Sequence, residues 1–341
     1  LPNITVKNTA SVKRSVRSVS VSPDAKTYVS TQSGGSHLDI WWSETLTKIV
    51  KTDINNDSAS TASFLHNKNV LAIGKFDGNV RTFNVATGKP IMTFSKATKL
   101  DDNRDWLVAF SPDDQILITA GLFPYLRFWD VNSGKLVRNA SLKLVAGTHC
   151  VDYSSDGRMV ACGGFQDIGR SDNGGAVEIL NAITGKTMFA IKTKARLIKS
   201  IVFSKDNKCL IAAGQGTNIG IWRTSDGKFL RSLEGHTAEV NSISLSPNGR
   251  VLASAGADNT IRFWGIESGK LLATVYMLRN SRTQNSKTEW VAFTPDGYYS
   301  GSANCEKFFT LRQNGKSLSA NEYQHLFNRP DIVTKTLEEA H

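Results

Sequence analysis

The side chains with the greatest capacity for chemistry are six histidines and four cysteines, and their placement argues against an active centre. His37, His66, His149, His236, His325 and His341 sit in dissimilar local sequences, and none forms the pair that holds a metal ion on one helix face. Nucleophilic catalysis would need a serine or cysteine on a strained turn, and phosphate chemistry a glycine-rich cradle; neither pattern occurs. Cys150, Cys162, Cys209 and Cys305 show no C-x-x-C pair and no histidine at zinc spacing. The first three lie in apolar strand-like runs, where a thiol behaves as a small hydrophobe. Asp167, Asp172 and Asn173 offer oxygen ligands for calcium, but lack the ordered spacing and closing glutamate of a dedicated loop. No catalytic residue, metal ion or cofactor is therefore expected.

One histidine does belong to a pattern. From Gly235-His236 through Val240 to Trp264, three alternating apolar and polar runs are separated by turn residues. Asn248-Gly249 marks a tight hairpin, because glycine accepts the positive φ that such a turn requires. The unit resembles a WD40 repeat, with Gly-His at its start and an aromatic residue where Trp-Asp ends the third strand. That resemblance implies a buried network joining His236, Ser254, Asp258 and Trp264, each satisfying another's hydrogen bonds away from water. On this reading the four hold a sheet together and are not a catalytic set.

The same unit recurs along the chain. First-turn anchors are Ser22-Pro23-Asp24, a degenerate Leu65-His66-Asn67, Ser111-Pro112-Asp113, Ser154-Ser155-Asp156-Gly157, Ser204-Lys205-Asp206-Asn207, Ser246-Pro247-Asn248-Gly249 and Thr294-Pro295-Asp296-Gly297, spaced by 42 to 50 residues. A second turn follows most of them, ending in Gly-Lys at Lys89, Lys135, Lys186, Lys228, Lys270 and Lys316. Between the turns lies a third-strand signature: Ile40-Trp41, Thr82-Phe83, Phe128-Trp129-Asp130, Ile179-Leu180, Ile221-Trp222, Phe263-Trp264 and Phe309-Thr310. The period fits a four-stranded blade, so the fold expected is an all-β, seven-bladed β-propeller of antiparallel blades.

The chain ends complete this expectation. In the seventh blade three strands are expected, near Trp290–Phe293, Tyr298–Ala303 and Lys307–Arg312. That leaves an open edge, and the alternating run Ile4-Thr-Val-Lys7 is expected to fill it as the closing strand within residues 1–10. The propeller domain would then span 1–318 and a helical tail 319–341. Ser319 and Glu322 can cap a first helix bearing Tyr323, Leu326 and Phe327 on one face; Arg329-Pro330 ends it and Asp331–Leu337 starts another. The stretch Glu289–Tyr299, Glu306-Lys-Phe and Phe327–Val333 resembles the last blade and exit segment of bacterial WD40 proteins that often continue into a caspase-like peptidase or other effector domain.

Composition narrows the function. No run of 18 apolar residues exists, so no membrane-spanning helix is expected. A cytoplasmic protein is the first expectation, with the periplasm or secretion left open because the first residue is Leu rather than Met. Net charge is +11; the turn lysines and the groups Lys96, Lys99, Arg104, then Lys192, Lys194, Arg196, then Arg279, Arg282, Lys287 account for much of it. Such spaced charge attracts acidic surfaces or polyanions by long-range steering. Irregular loops on a rigid scaffold carry specificity. Gly121-Leu-Phe123-Pro-Tyr125 places two aromatics where a polar turn is usual. Residues 165–175, with Arg170, and the basic link 279–287 lengthen two others. Phe123, Tyr125, Arg170, Arg279, Arg282 and Lys287 are therefore the candidate partner-binding residues. The resemblance implies a monomeric, non-catalytic protein-interaction scaffold or sensor platform; the alternative is a basic propeller that binds nucleic acid or another polyanion.

Overall fold

The structure is a computed structural model that describes residues 3–6, 16–21, 27–32, 37–42, 48–53, 59–66, 70–75, 80–87, 89–94, 105–166, 174–278, 289–302, 305–313, 316–317 and 320–338. Its contacts group the chain into two units. The first comprises Lys13–Ala212 with Trp222–Phe229; the second comprises Leu1–Val12, Ala213–Ile221 and Leu230–His341.

The first unit holds four sheets, covering residues 16–53, 59–94, 105–141 and 147–192, each of four antiparallel strands in chain order. A fifth four-stranded sheet, 198–233, contributes residues to both units. Strand composition explains the layering. The second and third strands of the 105–141 sheet, Ile116–Gly121 and Tyr125–Asp130, are almost continuously buried, whereas the fourth, Leu136–Ser141, alternates. A strand covered on both faces reads as an unbroken apolar run, and one covered on a single face alternates.

Adjacent sheets meet through these faces. Leu107, Ile118, Leu126 and Phe128 pack with Val160, Cys162, Ala176 and Leu180 of the 147–192 sheet. Leu65, Ala72, Val80 and Phe94 pack with Phe110, Leu117 and Trp129 in the same way. Burying each such large side chain contributes about 1.5–3 kcal/mol.

Five of the seven third-strand signatures coincide with an irregularity in pairing to the fourth strand, at Ile40/Trp41, Thr82/Phe83, Phe128/Trp129, Ile179/Leu180 and Phe263/Trp264. The first turns are built alike. Ser111, Ser154, Ser204 and Ser246 each donate to the Asp or Asn two residues on, at 2.5 to 2.7 Å. Each hydroxyl also accepts the N–H five residues on, at 2.8 to 3.0 Å. These side chains offer local partners to turn backbone, which is why they recur there.

In the second unit a six-stranded sheet runs from Val240–Leu245 to Tyr299–Gly301. Here the sequence expectation needs correction. The long strand Leu271–Leu278 pairs antiparallel with Glu289–Phe293, from Thr274 opposite Phe293 to Leu278 opposite Glu289. The strand expected over Lys307–Arg312 begins as a 3-10 turn, Cys305–Phe308, and becomes extended at Phe309–Gln313. It pairs with Asn3–Val6 and Lys316–Ser317, not with Tyr299–Gly301. The reason lies in what Tyr299 already holds: its carbonyl accepts Arg329 N–H at 2.9 Å, and Asn328 lies beside it in a parallel bridge. Its ring packs edge-on against Phe309, with centroids 5.1 Å apart. Two helices follow, α1 (Ala320–Phe327) and α2 (Pro330–Glu338). Proline suits the first helical position of α2, and Val333 is buried.

Candidate interaction site

In the sheet beginning at Val240, His236, Ser254, Asp258 and Trp264 form a continuous chain of contacts. His236 Nδ1 stands 2.8 Å from Asp258 Oδ2, and His236 Nε2 stands 2.8 Å from Ser254 Oγ. Trp264 Nε1 donates to the same Ser254 oxygen at 2.8 Å. Asp258 also accepts the N–H groups of Thr237 and Thr260, at 3.0 and 3.1 Å, and the Thr260 hydroxyl at 2.7 Å. Burial works to raise the Asp258 carboxyl, but the bonds from Thr237, Thr260 and His236 outweigh it and hold it below its ordinary value.

The serine, histidine and aspartate share the connectivity of an acyl-transfer triad, yet the surroundings remove the chemistry. Ser254 is 1% exposed and Trp264 2%, and the tryptophan N–H occupies the hydroxyl oxygen that would have to attack. A nucleophile needs substrate within about 3.5 Å and aligned; here that space is filled by indole.

The aromatic turn lies in the first unit. Strands Ile116–Gly121 and Tyr125–Asp130 are joined by Leu122, Phe123 and Pro124. Leu122 is 41% exposed and Phe123 37%. The Phe123 and Tyr125 rings stack with centroids 6.1 Å apart and planes 12° apart. Arg127 reaches back from the strand, its guanidinium 4.9 Å from the centre of the Tyr125 ring and donating to the tyrosine oxygen at 3.1 Å. The turn backbone is fixed by Tyr125 N–H to Phe123 O and by Leu142 N–H to Pro124 O, at 2.8 and 2.7 Å.

A residue not singled out from sequence organises the neighbouring loop. Glu178 is fully buried, and its Oε1 accepts the N–H groups of Lys143, Leu144 and Val145 at 2.7, 2.5 and 3.0 Å. Thr187 donates to its Oε2 at 2.9 Å. Three converging amides stabilise a buried carboxylate as a counter-ion would. The signal was present: a lone acid inside the strand Gly-Ala-Val-Glu-Ile-Leu-Asn. Lys143 thereby sits exposed in the loop that Leu142 ties to the aromatic turn. In the next sheet Gly175 and the 193–195 backbone hydrogen-bond across the corresponding end. Lys192, Lys194 and Arg196 are exposed there.

Arg170, Arg279, Arg282 and Lys287 lie outside the described residues, as do Asp167, Asp172 and Asn173. Lys89, Lys135, Lys186, Lys228 and Lys270 are exposed. Cys150, Cys162 and Cys305 are buried and Cys209 partly so; burial pushes the Cys305 thiol up to about 12 and those of Cys150 and Cys162 upward as well. Among the described residues no cluster of three potential metal ligands occurs, and no helix is long and apolar enough to cross a membrane.

Comparison with known proteins agrees with this architecture. The family model for the WD domain, G-beta repeat matches residues 227–265, the segment that carries His236, Ser254, Asp258 and Trp264. WD repeat-containing protein SL1-17 of Schistosoma mansoni is 25% identical over 53% of this chain and 52% of its own length. The U3 small nucleolar RNA-associated protein 21 homolog of Schizosaccharomyces pombe is 25% identical over 57% of this chain and 20% of its own. WD repeat-containing protein srw1 of the same yeast is 22% identical over 52% and 30%. The matches thus span about half or less of each relative. In its repeating four-stranded sheets, its matched repeat and these relatives, the chain is similar to WD40-repeat proteins.

Proposed function

We propose that the chain is a non-catalytic protein-binding platform built on WD40 repeats, and that the Leu122–Tyr125 turn anchors its partner. The observation that carries this is an exposed Phe123 stacked on a half-buried Tyr125, held on strands whose interiors are buried. Large rigid rings presented at little entropic cost are what interface hot spots are made of. The same reading takes the repeats as a closed ring of seven blades; the seven turn anchors and the pairing of Asn3–Val6 with Phe309–Arg312 support it. It also takes the His236 network as a structural brace, supported by its burial.

Capture experiments with the purified chain as bait test this proposal. Changing Phe123 and Tyr125 together to Ala should abolish capture of the principal partner while the melting temperature stays within a few degrees. Undiminished capture by that double variant removes the turn from consideration.

Polyanion binding is the second reading. The exposed lysines and the relative named as RNA-associated favour it. Its mark is a steep loss of affinity with salt as released counterions compete.

A further inference from the structure

We infer that the partner segment taken by the aromatic turn is an acidic peptide carrying one large apolar residue. This inference rests on the protein-binding reading above and specifies its chemistry. Two observations carry it. The first is charge. At the end of the 105–141 and 147–192 sheets that holds the aromatic turn, the exposed charged side chains among the described residues are Lys143, Lys192, Lys194 and Arg196. Among the described residues two carboxylates lie in this neighbourhood: Asp105, paired with Gly121 at the base of the turn, and Glu178, which is fully buried and saturated by Lys143, Leu144 and Val145 N–H together with Thr187. Glu178 therefore fixes the loop that presents Lys143 without facing a ligand.

The second observation is what the turn offers at its centre. Leu122 and Phe123 are exposed, and Tyr125 backs the phenylalanine, with Arg127 committed to the Tyr125 ring and oxygen. Several amides around the turn are committed as well: Tyr125 N–H to Phe123 O, Leu142 N–H to Pro124 O, and the N–H groups of Lys143, Leu144 and Val145 to Glu178. A phosphodiester gains most from free backbone N–H groups and forked guanidinium donors. Here it would meet mainly lysine ammonium groups. A peptide with an apolar side chain between carboxylates uses both features, burying the side chain on Leu122 and Phe123 while its acids meet the cations.

Fluorescence anisotropy on the full chain tests the inference with four labelled probes. These are a twelve-residue glutamate-rich peptide with one central Trp, the same peptide with Trp changed to Ala, a glutamine-for-glutamate version, and a twelve-nucleotide oligothymidylate. The Trp–Glu peptide should bind most tightly, with both altered peptides weaker by about tenfold or more. Phe123→Ala should reduce its binding by about tenfold, and Lys143→Ala should lower both the affinity and the salt dependence. Thermal melting identifies any variant that fails to fold; because Lys143 is exposed, K143A keeps the test open if F123A melts early. Tighter binding of oligothymidylate than of the peptide overturns the inference in favour of a nucleic-acid site. Equal binding of all three peptides, or affinity unchanged in both F123A and K143A, overturns it outright. If the peptides fail while a captured protein still depends on Phe123 and Tyr125, the partner chemistry is wrong and the platform reading stands.

Discussion

Arg231 donates to the main-chain carbonyls of Ile266 and Glu267, at 2.5 and 3.0 Å, reaching from the outer strand of one sheet to the second turn of the next. The contact has counterparts at the same repeat position. Three residues after each turn lysine, Met92, Arg138, Phe189 and Arg231 pack on Gly134, Gly185, Gly227 and Gly269 of the following sheet. All four glycines have φ between +68° and +70°. Arg138 also covers the Phe128 ring at 4.1 Å and donates to Ala182 O. Each outer strand thus clasps its neighbour through a long side chain laid over a glycine.

Gly227 separates conformation from space in this clasp. A Cβ there would stand 3.4 Å from Phe189 Cβ, an ordinary contact, so Gly227→Ala should lose about 1–2 kcal/mol through left-handed backbone strain alone. Gly227→Asn should lose less, since asparagine tolerates that region. Urea denaturation measures both; equal costs for Ala and Asn would contradict the account.

Ser254 is the junction of two buried donors or acceptors, His236 Nε2 and Trp264 Nε1. Ser254→Ala should therefore cost about 1–3 kcal/mol for each group left unpaired. The acid limb should respond to Asp258 instead. Its carboxyl is held below 3.8 in the folded state, so the stability it contributes is present above that pH and disappears as pH falls through the folded value. Asp258→Asn should be less stable at neutral pH and lose less on acidification. Parallel acid-denaturation slopes for the two proteins would exclude this role.

Asp152 behaves in the opposite sense. Burial raises its carboxyl to about 7, against the opposing bond from Phe203 N–H at 2.9 Å. Between 3.8 and about 7 the unfolded chain releases this proton while the folded one keeps it, so stability declines as pH rises through that window. Asp152→Asn should flatten the decline, improving on the wild type by at least about 1.4 kcal/mol more at pH 8 than at pH 4. Thermal melts across that range provide the measurement, and an unchanged pH profile would refute it.

Removing residues 1–9 would strip Asn3–Val6 from Phe309–Arg312 and leave a bare strand edge, a template for association. The truncated chain should melt earlier and aggregate at lower concentration. Light scattering during a melt gives both values; identical melting would show that this pairing adds nothing.

How much of this was visible in the linear chain depends on the range of the interaction. The turn anchors were legible because Ser111 and Asp113, or Ser154 and Asp156, satisfy backbone within five residues, so their chemistry is local. The third-strand signatures were legible too, since Phe128-Trp129 and Phe263-Trp264 stand where the pairing shifts. Other features depend on distant segments. The partner of Thr274 is Phe293, and the 3-10 turn at Cys305 reflects a tail that already occupies the Tyr299 edge. Glu178 left a trace as an acid in an apolar run, but its three amides come from residues 143–145. The clasp has a constant position and no constant residue type: reach over a glycine matters more than polarity there. Of the candidate contact residues, Phe123 and Tyr125 are together in one exposed turn, whereas Arg170, Arg279, Arg282 and Lys287 fall outside the described residues.

The pairing of Asn3 with Arg312 has a consequence for synthesis. A ribosome delivers the first of these residues long before the second, so the leading segment must wait while some three hundred others emerge. Local hairpins can form as they appear, whereas this long-range pairing forms only after Arg312 has emerged, making it a slow, late step of maturation.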